Sequence, residues 1–279
     1  MRVNLAKSAG FCFGVRRALR IAGETVRDGR RVYALGALVH NEDVLRDIEQ
    51  AGIMRIRRFS RKHRGMPLLI CAHGAPASTV RRAREYGYRV VDATCPRVKD
   101  IHRIVARMEK TGRSVIVIGD RNHDEVRGIV GQTKRGAVVI HGSAGLPAHE
   151  LRKIGKAAVV VQSTQNPEKV AEIMKELKAF MKDVEFYDTI CRPTRMKQRE
   201  IRDMARRNDV MMIIGSKSSA NTKRLYELAR AINARTHWIR SKDEIKPRWF
   251  AGARSVGIGA GASTPDKVTG EVVACLEAQ

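Results

Sequence analysis

YRVVDATCPRVKDIHRIVARMEKTGRSVIVIGDRNHDEVRG, residues 88–128, is the stretch whose pattern decides the fold. An apolar, β-branched run stops at Cys95, and a stretch rich in Arg, Glu and Ala follows, of the kind that suits a helix. A second apolar run, SVIVIG, then stops just before His123 and Glu125. Strands that are apolar on both faces and alternate with helical segments indicate parallel sheets covered by helices. The same punctuation recurs in RVYALGALVH, PLLICAHG, AAVVVQST, VMMIIGS and SVGIGAGAS, so the expected fold class is α/β. Reactive residues sit where these runs end: His40, His73, Cys95, His123 with Glu125, Ser163 with Thr164, Cys191, Ser218 to Asn221, and Ser263. In open α/β sheets the carboxyl ends of the strands form the ligand crevice, so these positions point to one shared site.

Composition narrows the class. The 279 residues allow one domain or two or three small ones sharing an interior, and Cys12, Cys95 and Cys191 fall at similar intervals, which hints at three modules. The expected boundaries are 13–95, 96–191 and 192–279, with residues 1–12 packing against the last. A hydrophobic content of 43% with 23 Gly and 8 Pro is that of a globular protein, not a disordered or fibrous one. No apolar run approaches the roughly 20 residues that a membrane-spanning helix needs, and the start has no signal-peptide apolar core. A cytoplasmic protein is expected. Five cysteines, an odd number, fit a reducing compartment better than a disulfide framework.

Charge is the unusual feature. Lys and Arg number 54 against 29 Asp and Glu, a formal +25 that attracts anions of any kind. Six Lys or Arg lie in RIRRFSRKHR, residues 55–64, which makes nucleic acid the first macromolecular candidate. Against it, no helix-turn-helix, zinc-finger or RNA-binding signature is present, and aromatic residues are only 5%. Specific nucleic-acid binding is not expected. The alternative function kept from this class is a basic nucleic-acid-binding protein with a structural metal site.

The chemistry starts from the cysteines. Cys71, inside an apolar run, and Cys275, in the helical pattern VVACLEA, read as packing residues. Cys12 and Cys95 have Gly10, Gly14 or Pro96 nearby, marking turns from which a thiol can point into a cleft. Spacing alone leaves a shared metal or cluster and three unrelated thiols equally open. Long intervals are unlike the CxxC pairs of structural zinc, and fewer than four protein ligands would leave a position for substrate. His40, His73 and His123, together with Ser, Thr and Asn at neighbouring strand ends, make an anion cradle of the kind a diphosphate needs. Glu125, flanked by His123, is the natural proton donor, the alternative being a Glu favoured by a helix N-terminus. GIGAGAS, residues 257–263, reads as a Gly-rich turn that lets amides and Ser263 approach a phosphate. A zinc hydrolase with Glu125 as base is a third possibility.

Taken together, GFCFGVRRAL, VHNEDV, AHGAP, DATCPRV, NHDEVRG, QSTQ, DTICRPT, GSKSSANTKRL and GAGASTPD resemble the 4-hydroxy-3-methylbut-2-enyl diphosphate reductase (IspH or LytB) family, in order from residue 10 to 266. The resemblance implies a trefoil of three similar α/β modules around a central 4Fe-4S cluster. It implies that Cys12, Cys95 and Cys191 hold that cluster and leave one iron open. The implied enzyme is an oxidoreductase of isoprene biosynthesis that removes an allylic hydroxyl as water, giving isopentenyl and dimethylallyl diphosphates. It implies catalytic roles for Glu125, His123 and Ser163, and substrate binding by His40, His73, His123, Ser163, Thr164, Ser219, Ala220, Asn221 and Ser263. An acidic electron donor such as a ferredoxin or flavodoxin would be drawn to the basic surface. Four positions depart from the family's usual pattern: Ser163 in place of Thr, Ala220 in place of Ser, Pro193 in place of a small residue and Lys197 in place of Arg.

Overall fold

A computed structural model describes residues 1–27, 31–142 and 146–278. Among them are twelve strands: β1 (Arg2–Leu5), β2 (Val32–Leu35), β3 (Ile53–Ile56), β4 (Pro67–Ile70), β5 (Arg89–Asp92), β6 (Ser114–Ile118), β7 (Ala137–Ile140), β8 (Lys156–Val161), β9 (Asp183–Phe186), β10 (Val210–Ile214), β11 (Thr236–Ile239) and β12 (Ser255–Ala260). They form three four-stranded sheets in the orders β3-β2-β4-β5, β7-β6-β8-β9 and β11-β10-β12-β1. Every pairing is parallel, as the residue 88–128 pattern led one to expect. The strand order is the same each time. In the third sheet, however, the last place is taken by β1, whose Leu5 lies opposite Ile258 of β12.

The chain divides into two compact units. A middle unit, residues 17–38 and 47–191, contains the first two sheets; a terminal unit, residues 1–16, 39–46 and 192–279, contains the third.

Both faces of the central strands are buried, which is why they read as unbroken apolar runs. In the middle unit, Ile116 and Ile118 of β6 and Val159 and Val161 of β8 pack on Val170, Ile173 and Leu177 of the helix Pro167–Phe180. The alternate residues Val115, Val117 and Val160 pack on Ile101 and Val105 of the helix Pro96–Lys110 and on Val126 and Ile129. Each such side chain contributes about 1.5–3 kcal/mol by leaving water. In the terminal unit, Met212, Ile214, Ile258 and Ala260 face Val272 and Leu276, while Met211 and Ile213 face Ile201 and Ala205 of the helix Arg192–Arg207.

One expectation fails. Gly257 and Gly259 lie inside β12, not in a turn, and the chain bends only beyond Ala260. The reason is close approach: a Cβ at Gly259 would run into Ile201, and one at Gly257 into Met211 and Asn208. Gly259→Ala should therefore destabilise the terminal unit by roughly 1–3 kcal/mol through overpacking. Trp238 and Trp249, the chain's two tryptophans, both belong to this unit. Urea unfolding followed by tryptophan fluorescence should show a lower midpoint, and an unchanged midpoint would refute the close packing.

Candidate active site

Six sequence-named residues of the middle unit are joined by a continuous chain of contacts. The Cys95 amide donates to the carbonyl of Ala72 at 2.9 Å, next to His73. The rings of His73 and His123 meet edge-to-face with centroids 5.3 Å apart. His123 caps the helix Asp124–Val130, its Nδ1 accepting from the Glu125 amide at 3.1 Å. That bond places the proton of the neutral imidazole on Nε2. Glu125 Oε1 accepts from the Ser163 amide at 2.6 Å and Oε2 from the Ser163 hydroxyl at 2.8 Å. The Ser163 carbonyl in turn accepts from the Cys191 amide at 3.1 Å. Thr164 lies beside this chain, its hydroxyl accepting from Gln162.

Local chemistry fixes these loops. The AHGAP turn docks on the Glu125 helix, with the Ala77 amide on the Gly131 carbonyl at 3.1 Å and Gln132 on the Ala75 carbonyl at 3.0 Å. Gly74, at φ 78°, and Gly128 leave room for the ring of His102. Gln162, fully buried at the end of β8, accepts from the Asp120 amide and so couples the loops after β6 and β8. Thr189 clasps the backbone of Val161 and holds the Cys191 loop to the same strand. Gln162 and Thr189 were visible only as letters of the QSTQ and DTIC motifs.

Glu125 is 2% exposed. Burial, the largest influence, raises its pKa above the ordinary value; the amide and hydroxyl of Ser163 act the other way without cancelling it. A carboxyl so placed retains its proton to higher pH than a surface glutamate.

The terminal unit gathers the remaining named residues. The Cys12 amide donates to the Ala262 carbonyl at 3.1 Å, and the Ser263 hydroxyl donates to the His40 carbonyl at 2.9 Å. Ser263 and Ser219 hydroxyl oxygens are 3.5 Å apart. Ser219 caps the helix Ala220–Ile232, so Ala220 and Asn221 present a helix N-terminus. Asn221 is 5% exposed, and its Nδ2 has no hydrogen-bond partner among the described residues. Behind this cradle Glu42 accepts from Ser216 at 2.9 Å and Ser218 at 3.0 Å. Its burial acts to raise the Glu42 pKa, but these bonds, its own amide and the charge of Arg240 outweigh it and lower the value. Glu42 orders the GSKSSAN loop and was not singled out in the sequence.

The family model described as LytB protein matches residues 3–277. The chain belongs to the LytB family. The 4-hydroxy-3-methylbut-2-enyl diphosphate reductase of Aquifex aeolicus (strain VF5) is 36% identical over 277 residues, spanning 97% of this chain and 94% of that protein. The reductase of the same name from Trichlorobacter lovleyi is 38% identical over 277 residues, spanning 99% and 97%. A solved (E)-4-hydroxy-3-methyl-but-2-enyl diphosphate reductase, described as the terminal enzyme of the non-mevalonate pathway, is 34% identical with a TM-score of 0.74 and 100% coverage of both chains. The E-1-hydroxy-2-methyl-but-2-enyl-4-diphosphate reductase from Plasmodium falciparum is 25% identical with a TM-score of 0.91, covering 99% of this chain and 87% of that one. Nothing in these similarities supports the nucleic-acid-binding alternative. Among the described residues no helix is long and apolar enough to cross a membrane.

The LytB-family cysteines suit a thiolate-held metal group. Cys12, Cys95 and Cys191 are each half-buried and none is in a disulfide. Each immediately precedes a helix, Phe13–Val26, Pro96–Lys110 or Arg192–Arg207, and so meets its electropositive end. Cys71 differs. It is 6% exposed, its thiol donates to the Gly74 carbonyl, and burial pushes its pKa up to about 11, so it packs as expected. Cys275 lies half-buried on the last helix, Asp266–Glu277.

Two departures from the family pattern have physical accounts. Pro193 falls in the first turn of the helix Arg192–Arg207, where its missing N–H costs nothing. Lys197 directs one ammonium at the carbonyls of Ser8, Gly10 (2.9 Å) and Ala260 (3.3 Å), a convergence on a single nitrogen that suits lysine better than a planar guanidinium. Burial lowers its pKa to about 8, against the opposing charges of Cys12, Glu200 and Asp266.

The Glu125 shift has a sign that can be measured. Its folded pKa lies above the ordinary 4.5, so its contribution to stability is full below pH 4.5 and is lost as pH rises through the folded value. Wild type should thus lose stability relative to Glu125→Gln as pH climbs from 4 towards 8, in thermal melts of metal-free protein. A difference independent of pH would show that the carboxyl titrates normally.

Proposed function

We propose that this LytB-family chain reduces 4-hydroxy-3-methylbut-2-enyl diphosphate, the compound its relatives' names give as their substrate, to isopentenyl and dimethylallyl diphosphates. The observation that carries the reading is the buried Glu125 carboxyl held by Ser163 in a loop system that ends on two cysteines, Cys95 and Cys191. A buried acid in the same loop system as two cysteines is the equipment for protonating a leaving oxygen where electrons arrive. The net change consumes two electrons and two protons, breaks the allylic C–O bond and releases water.

Cys12, Cys95 and Cys191 would hold a 4Fe-4S cluster with one iron left open, which when bound supplies electrons and a Lewis-acidic position for the substrate oxygen. Glu125, whose burial favours the protonated form, gives its proton to the departing oxygen. The Ser163 hydroxyl, 2.8 Å from Oε2, orients that carboxyl or relays the proton, taking one from Oε2 as its own passes to the leaving oxygen. His123 offers its Nε2 proton to the substrate side, and His73 packs against its ring. His40, Ser219, Asn221, Ser263 and the amide of Ala220 bind diphosphate oxygens, with His73, His123 and Thr164 adding donors. A helix N-terminus with an unpartnered, buried Asn221 amide supports that assignment.

The electrons come from a separate one-electron carrier, and the +25 charge favours an acidic one of the ferredoxin or flavodoxin type. We place the protein in the cytoplasm, with modules spanning 13–95, 96–191 and 192–279 and residues 1–12 joined to the last; the pairing of β1 with β12 supports that last assignment.

Anaerobic reconstitution should give the absorption and EPR signals of a 4Fe-4S cluster, and zinc or no metal would refute the reading. Glu125→Gln should keep those signals and substrate binding while turnover falls by about 10²–10⁴-fold. Full activity in that variant would remove Glu125 from the acid role. Cys12→Ala should abolish the cluster, whereas Cys71→Ala should leave iron content unchanged. The reverse pattern would reassign the ligands.

A further inference from the structure

The helix Arg192–Arg207 starts at the residue after Cys191, and its two long faces have opposite chemistry. Its inner face buries Thr194, Lys197, Gln198, Ile201 and Ala205. Lys197 donates to the carbonyls of Ser8 and Gly10, while Glu200 accepts from the amides of Lys7 at 2.6 Å and Ser8 at 2.9 Å. These are the residues that lead into Cys12. The inner face therefore grips the loop of one proposed cluster ligand, and about one helix diameter, roughly 10 Å, separates that loop from the outer face.

Arginine dominates the outer face. Arg192, Met196, Arg199, Arg206 and Arg207 are exposed, with Met196 at 52%. Positions 192, 196, 199, 203 and 206 follow the spacing that brings residues to one side of a helix. The helix has six Arg and one Lys but only two acids. Of these, Glu200 is engaged by backbone amides and Asp203 pairs with Arg206 at 3.6 Å. The outer face thus keeps a strong positive field around one exposed, polarisable methionine. Such a surface repels a second copy of itself and attracts an acidic protein, whose encounter it steers while Met196 supplies apolar contact.

We propose that the outer face of the helix Arg192–Arg207 is the docking site of the acidic one-electron carrier protein. The inference rests on the reductase reading above and adds to it the surface used. The carrier must dock twice per turnover, because each encounter oxidises one reduced carrier and delivers one electron, and two are needed to release one water.

The test compares Arg199→Glu/Arg206→Glu with a control of equal charge change on the exposed pair Arg57→Glu/Arg58→Glu. Turnover of cluster-loaded enzyme is measured with a reduced acidic flavodoxin and, separately, with reduced methyl viologen, a small reductant that needs no docking face. The helix variant should lose about tenfold in kcat/KM with flavodoxin at low ionic strength, the gap closing as salt rises. With viologen its rate and its iron content should match wild type, and the control should stay within about twofold of wild type with both reductants. Arg199→Gln alone, less disturbing to the fold, should show a smaller loss confined to flavodoxin. An unaffected helix variant, an equal loss in the control, a loss in Arg199→Gln shared by both reductants, or a wild type that takes electrons from viologen but not flavodoxin would each overturn the docking site. A wild type inactive with viologen as well would instead refute the reductase reading on which the site rests.

Discussion

A parallel sheet covered on both faces has no place for a polar side chain except beyond its strand ends. In the middle unit every inward position of β6 and β8 is taken by Val, Ile or Ala packed against one of two helix layers. In the terminal unit β10 is fully buried along its whole length. The chain's reactive groups are therefore forced to the carboxyl edges, and the repeated strand order delivers them there once per sheet. His73, Glu125, Ser163 and Cys191 follow β4, β6, β8 and β9, while Cys12, Ser219 and Ser263 follow β1, β10 and β12. Chemistry is confined to loops, and the loops are held by a rigid apolar scaffold.

Each unit also buries a charged-type residue near such an edge, Glu125 in one and Lys197 in the other, and burial pushes both towards the neutral form. Glu125 has two hydrogen bonds, both from Ser163, and its burial prevails, so the neutral acid is favoured. Lys197 sits among three carbonyls that solvate an ammonium, with carboxylate and thiol neighbours whose charge opposes the burial. One arrangement retains a proton that can be given away; the other retains a cation that ties the Cys12 loop to a helix. Burial is the largest influence on both, so the difference lies in where each group starts: a carboxyl shifted up gains proton occupancy, while an ammonium lowered to about 8 keeps most of its charge at neutral pH.

The strand ends were legible because an apolar β-branched run stops visibly, and Cys95, Cys191, Glu125 and the histidines could be placed from that alone. β1 was not legible, since RVNL is short and mixed, and its membership in the third sheet depends on pairing with β12 at the far end of the sequence. The glycines of β12 were misread as a turn because a glycine required for helix–strand approach looks the same in sequence as one required for a bend. Glu42, Gln162, Thr189 and Glu200 escaped notice, and Lys197 was marked only as a departure from the family pattern, for a common reason. Apart from the Ser216 and Ser218 hydroxyls that meet Glu42, the groups they hold are almost all backbone amides and carbonyls, which every residue carries and no motif records. Residues 39–46 likewise join the terminal unit although β2, just before them, belongs to the middle one.

The remaining two departures, Ser163 and Ala220, bear on how much a side chain is needed where the backbone already does the work. A threonine at 163 would gain a rotamer restraint from its methyl. Here Ser163 is 7% exposed and is bound to both oxygens of one carboxyl through its amide and its hydroxyl. The amide holds the carboxyl in place and the hydroxyl bond to it favours one χ1 without the methyl, so the hydroxyl remains aimed at Glu125. At 220 the missing hydroxyl removes one donor, but Ala220 is the first residue of a helix whose leading amides have no intrahelical acceptor. Those amides, with Ser219 and Asn221 on either side, still present donors to an anion. The two substitutions thus fall at positions where local geometry, set by a buried carboxyl in one case and a helix terminus in the other, supplies what the usual side chain would have added.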